Sequence, residues 1–351
     1  MSRRQLRVLV VDDSPLNRDE MVTSIRAAGD AEVIGVAGDG SEALRLVQSL
    51  KPDLITLDLE MPKMDGFSFL RIVQNVWPCP VIVISGCSAD KNVFRALELG
   101  AMDFVAKPQT SAERLNSLPG VLREKLDAVR ALTPGILSRP PAAEQTRYAT
   151  PVTPSKVQGG TPKYFIAMAA STGGPTAVTQ ILSRLNADPR CAVLVAQHMP
   201  DTFTRTFAER LNRHSALEVS EARTNAPIVG AAALVCPGRR CLEVTLDGTR
   251  YLTDVRFPSP ADRYVPSADR LFTSLANVAG RNTIGVILTG MGDDGVEGAR
   301  ALVKKGGVVI AESSETAVVY GMPQAAARAG VVRRSLPLHD IAGYLNDLIR
   351  A

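Results

Sequence analysis

Three kinds of polar residue in the C-terminal half of the chain match the requirements of nucleophilic catalysis. Ser171, His198 and the pair Asp293-Asp294 each follow an apolar run that is typical of a buried strand. A serine hydroxyl attacks an acyl carbon efficiently when a histidine takes its proton and a carboxylate orients that histidine. The residue types therefore indicate a site for acyl transfer or hydrolysis, in which either aspartate can supply the carboxylate.

The stretch around Ser171 predicts a strand that turns directly into a helix. The apolar run Tyr164–Ala170 is followed by Ser171, Gly173-Gly174 and Pro175. The glycines allow a sharp bend, and the proline suits the first turn of a helix. Ser171 would then face the positive end of a helix dipole, which favours an attack that creates an oxyanion. Taken alone, the same residues also fit a glycine-rich turn with a helix-capping hydroxyl.

Structural roles are the alternative for the other members of this set. Of the three histidines, His214 falls at a predicted helix end and His339 at the start of the last helix, so we expect both to be surface or capping residues. A single histidine after a strand is often structural, and either aspartate can cap the helix that follows. The order Ser, His, Asp and the absence of G-x-S-x-G argue against a common esterase or lipase.

Length and composition predict a protein of two globular domains. The chain has 351 residues, of which 45% are hydrophobic and 22% charged, and its net charge of +4 does not by itself indicate nucleic-acid binding. The five cysteines form no C-x-x-C pair, which is typical of reduced thiols in a cytosolic protein. No signal peptide or membrane span is readable. We therefore expect a cytoplasmic protein that is not inserted in a membrane.

The N-terminal third alternates apolar strands with helical patterns. Nearly continuous apolar strands joined by helices predict an α/β domain with a five-stranded, doubly wound parallel sheet. The predicted strands are Leu6–Val11, Val33–Ala37, Leu54–Leu57, Val81–Ser85 and Asp103–Ala106.

Polar residues follow the strands of this predicted sheet, where the working residues of such folds collect. Asp12 and Asp13 follow the first strand, Asp58 the third, Ser85 the fourth and Lys107 the fifth. Three clustered carboxylates favour a hard divalent cation, for which Mg²⁺ is the natural candidate. Asp58 can then attack a phosphoryl group whose oxygens the cation, Lys107 and Ser85 stabilise.

A break in the pattern separates two predicted domains. Residues 131–162 contain six prolines and no sustained apolar period, which predicts a semi-rigid linker between a domain at residues 1–130 and another at 163–351. The second domain also reads as α/β, with an antiparallel hairpin inserted around Asp247-Gly248. Its further strands are predicted at Cys191–His198, Ala232–Val235, Cys241–Leu246, Tyr251–Val255, Thr283–Thr289 and Gly307–Ala311, and its helices at Asp201–Asn212, Ser267–Gly280 and from Leu338.

About the first third of the chain resembles response-regulator receiver domains. The motifs that carry this resemblance are Val-Val-Asp12-Asp13-Ser, Asp58-Leu-Glu60-Met-Pro-Lys-Met-Asp-Gly66, Ile-Ser85-Gly and Phe104-Val-Ala-Lys107-Pro108. The resemblance implies that Asp58 accepts the phosphoryl group and that Asp12, Asp13 and Asp58 hold Mg²⁺. It also implies a cis peptide bond at Lys107-Pro108. The residues implied to report phosphorylation are Ser85, Phe104 and Lys107.

Residues 163–335 resemble the catalytic domain of the CheB family of chemotaxis protein-glutamate methylesterases. The matching motifs are Ala-Ser171-Thr-Gly-Gly, Gln-His198-Met-Pro, Pro237-Gly238, Pro266-Ser267-Ala-Asp269, Leu-Thr-Gly-Met291-Gly-Asp-Asp294-Gly and Thr316-Ala-Val-Val-Tyr-Gly-Met-Pro323. The resemblance implies that Ser171 is the nucleophile, His198 the base and Asp294 the orienting carboxylate. It implies an oxyanion hole formed by the backbone N–H groups of Thr172 and Met291.

The resemblance also carries expectations about activity and partners. It implies phosphorylation-activated hydrolysis of glutamyl methyl esters, and deamidation of glutamine, on chemoreceptors at receptor arrays. A histidine kinase is the implied phosphodonor; the esterase step needs no metal, and no nucleic-acid partner is expected. The linker would let the receiver cover the esterase cleft until phosphorylation loosens that cover. Ala169 and Cys241 depart from the usual family pattern of glycine and histidine.

Two other classes of function remain as alternatives. A binding module that has lost catalysis would dock receptors without turning over esters, although the chain retains the serine, histidine and aspartate. A nucleotide-binding second domain would also place a glycine-rich turn after a strand. The chain lacks both G-x-G-x-x-G and G-x-x-x-x-G-K-[ST], which disfavours the nucleotide binder.

Overall fold

The computed structural model describes residues 5–86, 90–107, 118–133, 135–136 and 159–350. The chain divides into two compact units, Met1–Gln145 and Thr146–Ala351. Most of the predicted linker lies outside the described residues, so the predicted limits 1–130, 131–162 and 163–351 stay a prediction. The Lys107-Pro108 bond also lies outside them, because Pro108 is not described.

The first unit contains a five-stranded parallel sheet in the order β2-β1-β3-β4-β5. Its strands are β1 (Leu6–Val11), β2 (Ala31–Ala37), β3 (Leu54–Asp58), β4 (Val81–Ser85) and β5 (Asp103–Ala106). Its helices are α1 (Pro15–Ala28), α2 (Gly40–Leu50), α3 (Gly66–Val76), α4 (Asp90–Glu98) and α5 (Leu118–Arg130). Every residue of β3 and β4 is buried, so both faces of the sheet are covered. This confirms the predicted doubly wound receiver fold.

Local signals in the sequence start the first three helices. The side chains of Ser14, Asp39 and Asp65 each accept a hydrogen bond from the backbone N–H three residues further on. Such caps satisfy N–H groups that have no partner inside the helix. Each cap therefore fixes where the chain leaves the carboxyl end of a strand and enters a helix.

The second unit is built on a seven-stranded parallel sheet in the order β14-β13-β12-β6-β7-β9-β8. Its strands are β6 (Tyr164–Ala170), β7 (Cys191–Gln197), β8 (Glu218–Glu221), β9 (Ala232–Val235), β12 (Thr283–Ile287), β13 (Val308–Glu312) and β14 (Arg334–Leu336). Strands β10 (Cys241–Asp247) and β11 (Arg250–Arg256) form the separate antiparallel hairpin. The helices are α6 (Gly174–Leu182), α7 (Asp201–His214), α8 (Ala268–Val278), α9 (Val296–Lys304), α10 (Met322–Arg328) and α11 (Leu338–Arg350).

The predicted fold class is confirmed, with differences at the margins of this sheet. The short strands β8 and β14 were not predicted, because four and three residues with polar members show no clear apolar alternation. The predicted strand Thr283–Thr289 ends at Ile287, where the chain begins the glycine-rich loop. None of the helices in the described residues combines the length and apolar character that crossing a bilayer requires.

Candidate active site

Three adjacent strands, β12, β6 and β7, carry the predicted catalytic residues to one edge of the second sheet. Ser171 directly follows β6, and His198 directly follows β7. The N–H of His198 donates to the carbonyl of Ala170 at 2.9 Å, and the N–H of Ser171 donates to the carbonyl of Thr289 at 3.0 Å. These bonds continue the ladders between the buried central strands of the sheet, so the backbone under both side chains is held firmly.

Asp294 binds the imidazole of His198. Its Oδ2 atom lies 2.8 Å from His198 Nε2, and its side chain is fully buried. The same carboxylate accepts the N–H of Ala268 at 2.8 Å and the N–H of Asp269 at 3.0 Å, both in the first turn of α8. These three hydrogen bonds hold the carboxylate between the imidazole and the first turn of α8. It does not cap α9, which was the structural alternative; that helix begins after Gly295 without a side-chain cap.

Asp293 points elsewhere. Its Oδ1 accepts a hydrogen bond from the Tyr264 hydroxyl at 3.0 Å, and its Oδ2 lies 3.3 Å from Arg263 Nη1. The Tyr264 ring in turn stacks on the His198 ring, with centroids 5.3 Å apart and planes at 7°. Of the two aspartates that the sequence left open, only Asp294 hydrogen-bonds the imidazole.

Backbone hydrogen bonds hold the turn that contains Ser171. The Ser171 carbonyl accepts the N–H of Gly174 at 2.8 Å and Nε2 of Gln197 at 2.9 Å. Within the described part of the chain, the Ser171 hydroxyl makes no hydrogen bond with His198. In unliganded sites such bonds are often long and tighten only when substrate is bound.

Gly290 allows Ser171 to lie against the loop that follows β12. A Cβ atom at position 290 would come within 2.6 Å of both the Ser171 Cβ and the Met322 sulfur. The neighbouring Thr289 hydroxyl donates to the carbonyl of Thr172 at 2.9 Å and accepts the N–H of Val319 at 3.0 Å. The close approach and these bonds tie the serine turn to the loop.

The two predicted oxyanion-hole donors are the backbone N–H groups of Thr172 and Met291. In the described residues, neither the N–H of Thr172 nor that of Met291 donates to a protein acceptor. Met291 is 37% exposed, whereas Thr172 is buried at 3% exposure. Buried N–H groups are normally paired, so the N–H of Thr172 is the more unusual of the two. Thr172 follows Ser171 in the chain, and Met291 follows Gly290, which lies against Ser171. N–H groups without a protein acceptor near a serine are suited to an anionic oxygen.

Glu312 is a buried carboxyl group behind this loop. It ends β13, is fully buried, and its Oε2 accepts the N–H of Thr289 at 2.9 Å. Burial raises the pKa of Glu312 from 4.5 to about 7, against the effect of the Thr289 N–H. Glu312 therefore supports the residue that holds both Ser171 and Thr172.

A cavity of about 780 Å³ lies between the hairpin and helices α8 and α9. Tyr264, Asp293 and Asp294 contribute to its wall, and Leu246 of β10 lies on the hairpin side. A space of this size is typical of ligand sites. The hairpin thus forms one wall of a cleft whose other walls include the two aspartates; neither Ser171 nor His198 lines it.

The acidic site of the first unit contains the residues predicted for Mg²⁺ and phosphorylation. One carboxylate oxygen each from Asp12, Asp13 and Asp58 lies within 4.8 Å of the others. Lys107 Nζ lies 2.9 Å from Asp12 Oδ2 and 2.5 Å from Asp58 Oδ2. Burial raises the pKa of Asp58, against the effect of its contact with Lys107. A set of hard carboxylate oxygens fits Mg²⁺.

Ser85 and Phe104 lie on the adjacent strands β4 and β5. Both are buried, and the Ser85 hydroxyl donates to the carbonyl of Gly86 at 3.3 Å. Phe104 packs edge-on against Phe94 of α4, with ring centroids 6.4 Å apart. Ser85 ends β4 one residue beyond Ile84, which pairs with Asp58, whereas Phe104 pairs with Val83 in the middle of β4.

Sequence reasoning missed Tyr264, Gly290 and Glu312. Tyr264 precedes α8 in a loop without a periodic pattern. Glu312 is the last residue of an apolar strand, where a carboxylate is expected to be exposed at the surface. The two residues that depart from the family pattern, Ala169 and Cys241, are fully buried. Of the remaining histidines, His214 ends α7 and is half-buried, whereas His339 is exposed in the first turn of α11.

The fold and these two sites define a class of two-unit α/β protein that joins a receiver-type acidic site to a serine, histidine and aspartate at strand ends. Residues 166–345 match the family model of the CheB methylesterases, and residues 8–118 match that of the response regulator receiver domain. The chain belongs to the CheB methylesterase family.

Similar proteins agree with this assignment. The chain is 45% identical over 350 residues to a protein-glutamate methylesterase/protein-glutamine glutaminase of Myxococcus xanthus, with 99% of each chain covered. It is 43% identical to one of Geobacter sulfurreducens, covering 98% of this chain and all of the relative. The crystal structure of the CheB methylesterase catalytic domain of Thermotoga maritima matches 55% of this chain and all of its own, at 32% identity and a TM-score of 0.52.

Proposed function

We propose that this protein hydrolyses glutamyl methyl esters on chemoreceptors and deamidates glutamine side chains there. The observation that carries this proposal is the 2.8 Å bond between His198 Nε2 and Asp294 Oδ2 beside Ser171. The names of the similar proteins support the choice of substrate. A methyl ester and a primary amide present the same acyl carbon, so one site serves both reactions.

The reaction proceeds through an acyl-enzyme. His198 takes the proton of the Ser171 hydroxyl as its oxygen attacks the glutamyl carbonyl carbon, and Asp294 stabilises the imidazolium. The negative charge on the carbonyl oxygen is received by the N–H groups of Thr172 and Met291. The imidazolium then protonates the departing methoxide, or the departing amide nitrogen, which leaves as methanol or ammonia. Water repeats the sequence on the acyl-enzyme and releases the carboxylate.

Replacing Ser171 tests the assignment of the nucleophile. We expect Ser171→Ala to lower methanol release from a methylated receptor fragment on the order of 10⁴–10⁶-fold, because no covalent intermediate can form. The melting temperature should change little. Ser183→Ala is a matched control, since Ser183 lies at the other end of α6, where its hydroxyl donates to the carbonyl of Gln180. Wild-type turnover in the Ser171 variant would reject the assignment.

Control of this activity belongs to the first unit. We infer that a histidine kinase donates the phosphoryl group to Asp58 and that Asp12, Asp13 and Asp58 hold the Mg²⁺ the transfer requires. The cation supplies charge neutralisation for the phosphoryl oxygens. Lys107 provides a second positive charge at the same carboxylate, and Ser85 with Phe104 reports the change. In this proposal the protein works in the cytoplasm at receptor arrays.

A further inference from the structure

Tyr264 lies flat against the imidazole of His198. The two ring planes differ by 7° and the centroids are 5.3 Å apart, which describes an offset stack. The bond to Asp294 fixes one ring nitrogen but leaves the imidazole free to rotate about that contact. A second ring on its face removes this freedom, because rotation would drive the imidazole into the phenol.

The surroundings of Tyr264 hold it in place. Its hydroxyl donates to Asp293 Oδ1 at 3.0 Å, and Arg263 Nη1 lies 3.3 Å from the other oxygen of that carboxylate. Gly292 has φ of +97°, and a Cβ atom there would approach Cζ of Tyr264 to 3.0 Å. The loop after β12 therefore leaves room for the phenol ring. Burial raises the pKa of Tyr264, and the Asp293 bond raises it further, so the phenol remains a donor.

We propose that Tyr264, held by Asp293, is a positioning residue that fixes the plane of the His198 imidazole. The inference rests on the proposed function, in which His198 moves a proton between Ser171 and the leaving group. Two consecutive aspartates then control one imidazole. Asp294 binds it in the ring plane, and Asp293 acts on its face through Tyr264.

Kinetics of two Tyr264 variants test the proposal. In the full-length phosphorylated protein, we expect Tyr264→Leu to lower kcat roughly 10–100-fold, because a misdirected base transfers protons poorly. KM should stay within about twofold, since a residue that acts through His198 does not alter uniform substrate binding. Tyr264→Phe keeps the ring and should lose less. Tyr344→Leu is the matched control, because the ring of Tyr344 in α11 lies against the guanidinium of Arg334 in β14.

A double-mutant cycle separates Asp293 from a general effect on folding. Asp293→Ala and Tyr264→Phe remove the two ends of one hydrogen bond, so the double variant should lose no more kcat than the worse single variant. Multiplied losses would show that Asp293 acts on catalysis independently, against the proposal. A raised KM with unchanged kcat in Tyr264→Leu would mark Tyr264 as a substrate contact and also overturn it.

A second measurement needs no substrate. The chain has three histidines, so their imidazole NMR signals can be resolved in the unphosphorylated full-length protein, with His214 and His339 as references. Loss of the phenol ring current in Tyr264→Leu should shift the ring protons of His198 alone. Unchanged His198 signals would overturn the proposal. If the wild type releases no methanol but these signals shift, the proposed function fails while the stack of Tyr264 on His198 is supported.

Discussion

Asp294 has two tasks, because its carboxylate binds His198 and also receives two backbone N–H groups of α8. An asparagine there keeps the shape but must turn an N–H₂ group toward one of these donors. The catalytic and structural effects of this residue are therefore coupled.

Asp294→Asn should lower kcat on the order of 10³–10⁴-fold, because the wrong imidazole tautomer is stabilised. It should also lower the free energy of unfolding by about 1–3 kcal/mol, since one buried donor loses its acceptor. Methanol release and thermal unfolding measure the two effects. Asp293→Asn should cost far less stability, because the Asp293 side chain is 51% exposed. Equal losses in the two variants would contradict the distinction drawn here.

At Gly290, the loop after β12 approaches the turn that contains Ser171 closely. Gly290→Ala should lower kcat roughly 10–100-fold, because a methyl group 2.6 Å from Ser171 Cβ must push the nucleophile away. The free energy of unfolding should fall by about 1–3 kcal/mol from overpacking. Gly343→Ala is the control: a Cβ there meets no heavy atom within 4 Å, so in the middle of α11 it should raise stability by about 0.5–1 kcal/mol. Normal activity in Gly290→Ala would mean that the loop can yield.

At the scale of elements, strand β13, which pairs with β12, ends in a buried carboxyl group that titrates. The pKa of Glu312 is raised from 4.5 to about 7, so between these values the folded chain holds a proton that the unfolded chain has lost. Stability then falls as pH rises through this window. The decrease should be on the order of 3 kcal/mol.

Glu312→Gln should remove this part of the pH dependence, because an amide does not ionise and its oxygen can still accept the N–H of Thr289. Urea unfolding from pH 4.5 to 8 measures it. Glu297→Gln is the control, since the Glu297 side chain is 75% exposed. A wild-type pH dependence in Glu312→Gln would assign the titration to other groups.

The sequence predicted the elements that local patterns determine and missed the features that depend on contacts between distant parts of the chain. Ser171 and His198 follow long apolar runs, so their strands and their meeting at one sheet edge were predictable from local pattern and the geometry of parallel sheets. Asp294 was predicted only as one of two neighbours until the resemblance was considered. The stack of Tyr264 on His198 could not be predicted from sequence spacing, because the two residues are 66 positions apart and Tyr264 lies in a loop. The same is true of Glu312, whose burial is set by the strands beside it.

At the scale of the whole molecule, the two units divide the work between phosphoryl chemistry and acyl chemistry. Asp58→Asn should abolish the increase in methanol release that a small phosphodonor and Mg²⁺ produce in the wild type, because the amide cannot accept the phosphoryl group. Unstimulated turnover should persist, since Ser171 lies in the other unit. Asp19→Asn, at an exposed position of α1, should respond as the wild type does. Stimulation of the Asp58 variant would place the acceptor elsewhere.

Strands β12, β6 and β7 lie at the centre of the second sheet, and this position affects where the sequence can vary during evolution. Two further strands lie on each side of that trio, β13 and β14 on one flank and β9 and β8 on the other. Insertions, trimmed ends or new recognition loops at either margin are thus buffered by an intervening strand before they reach the reacting atoms. Variation in partner preference can accumulate at the periphery of the sheet while the spacing of hydroxyl, imidazole and carboxylate is inherited intact.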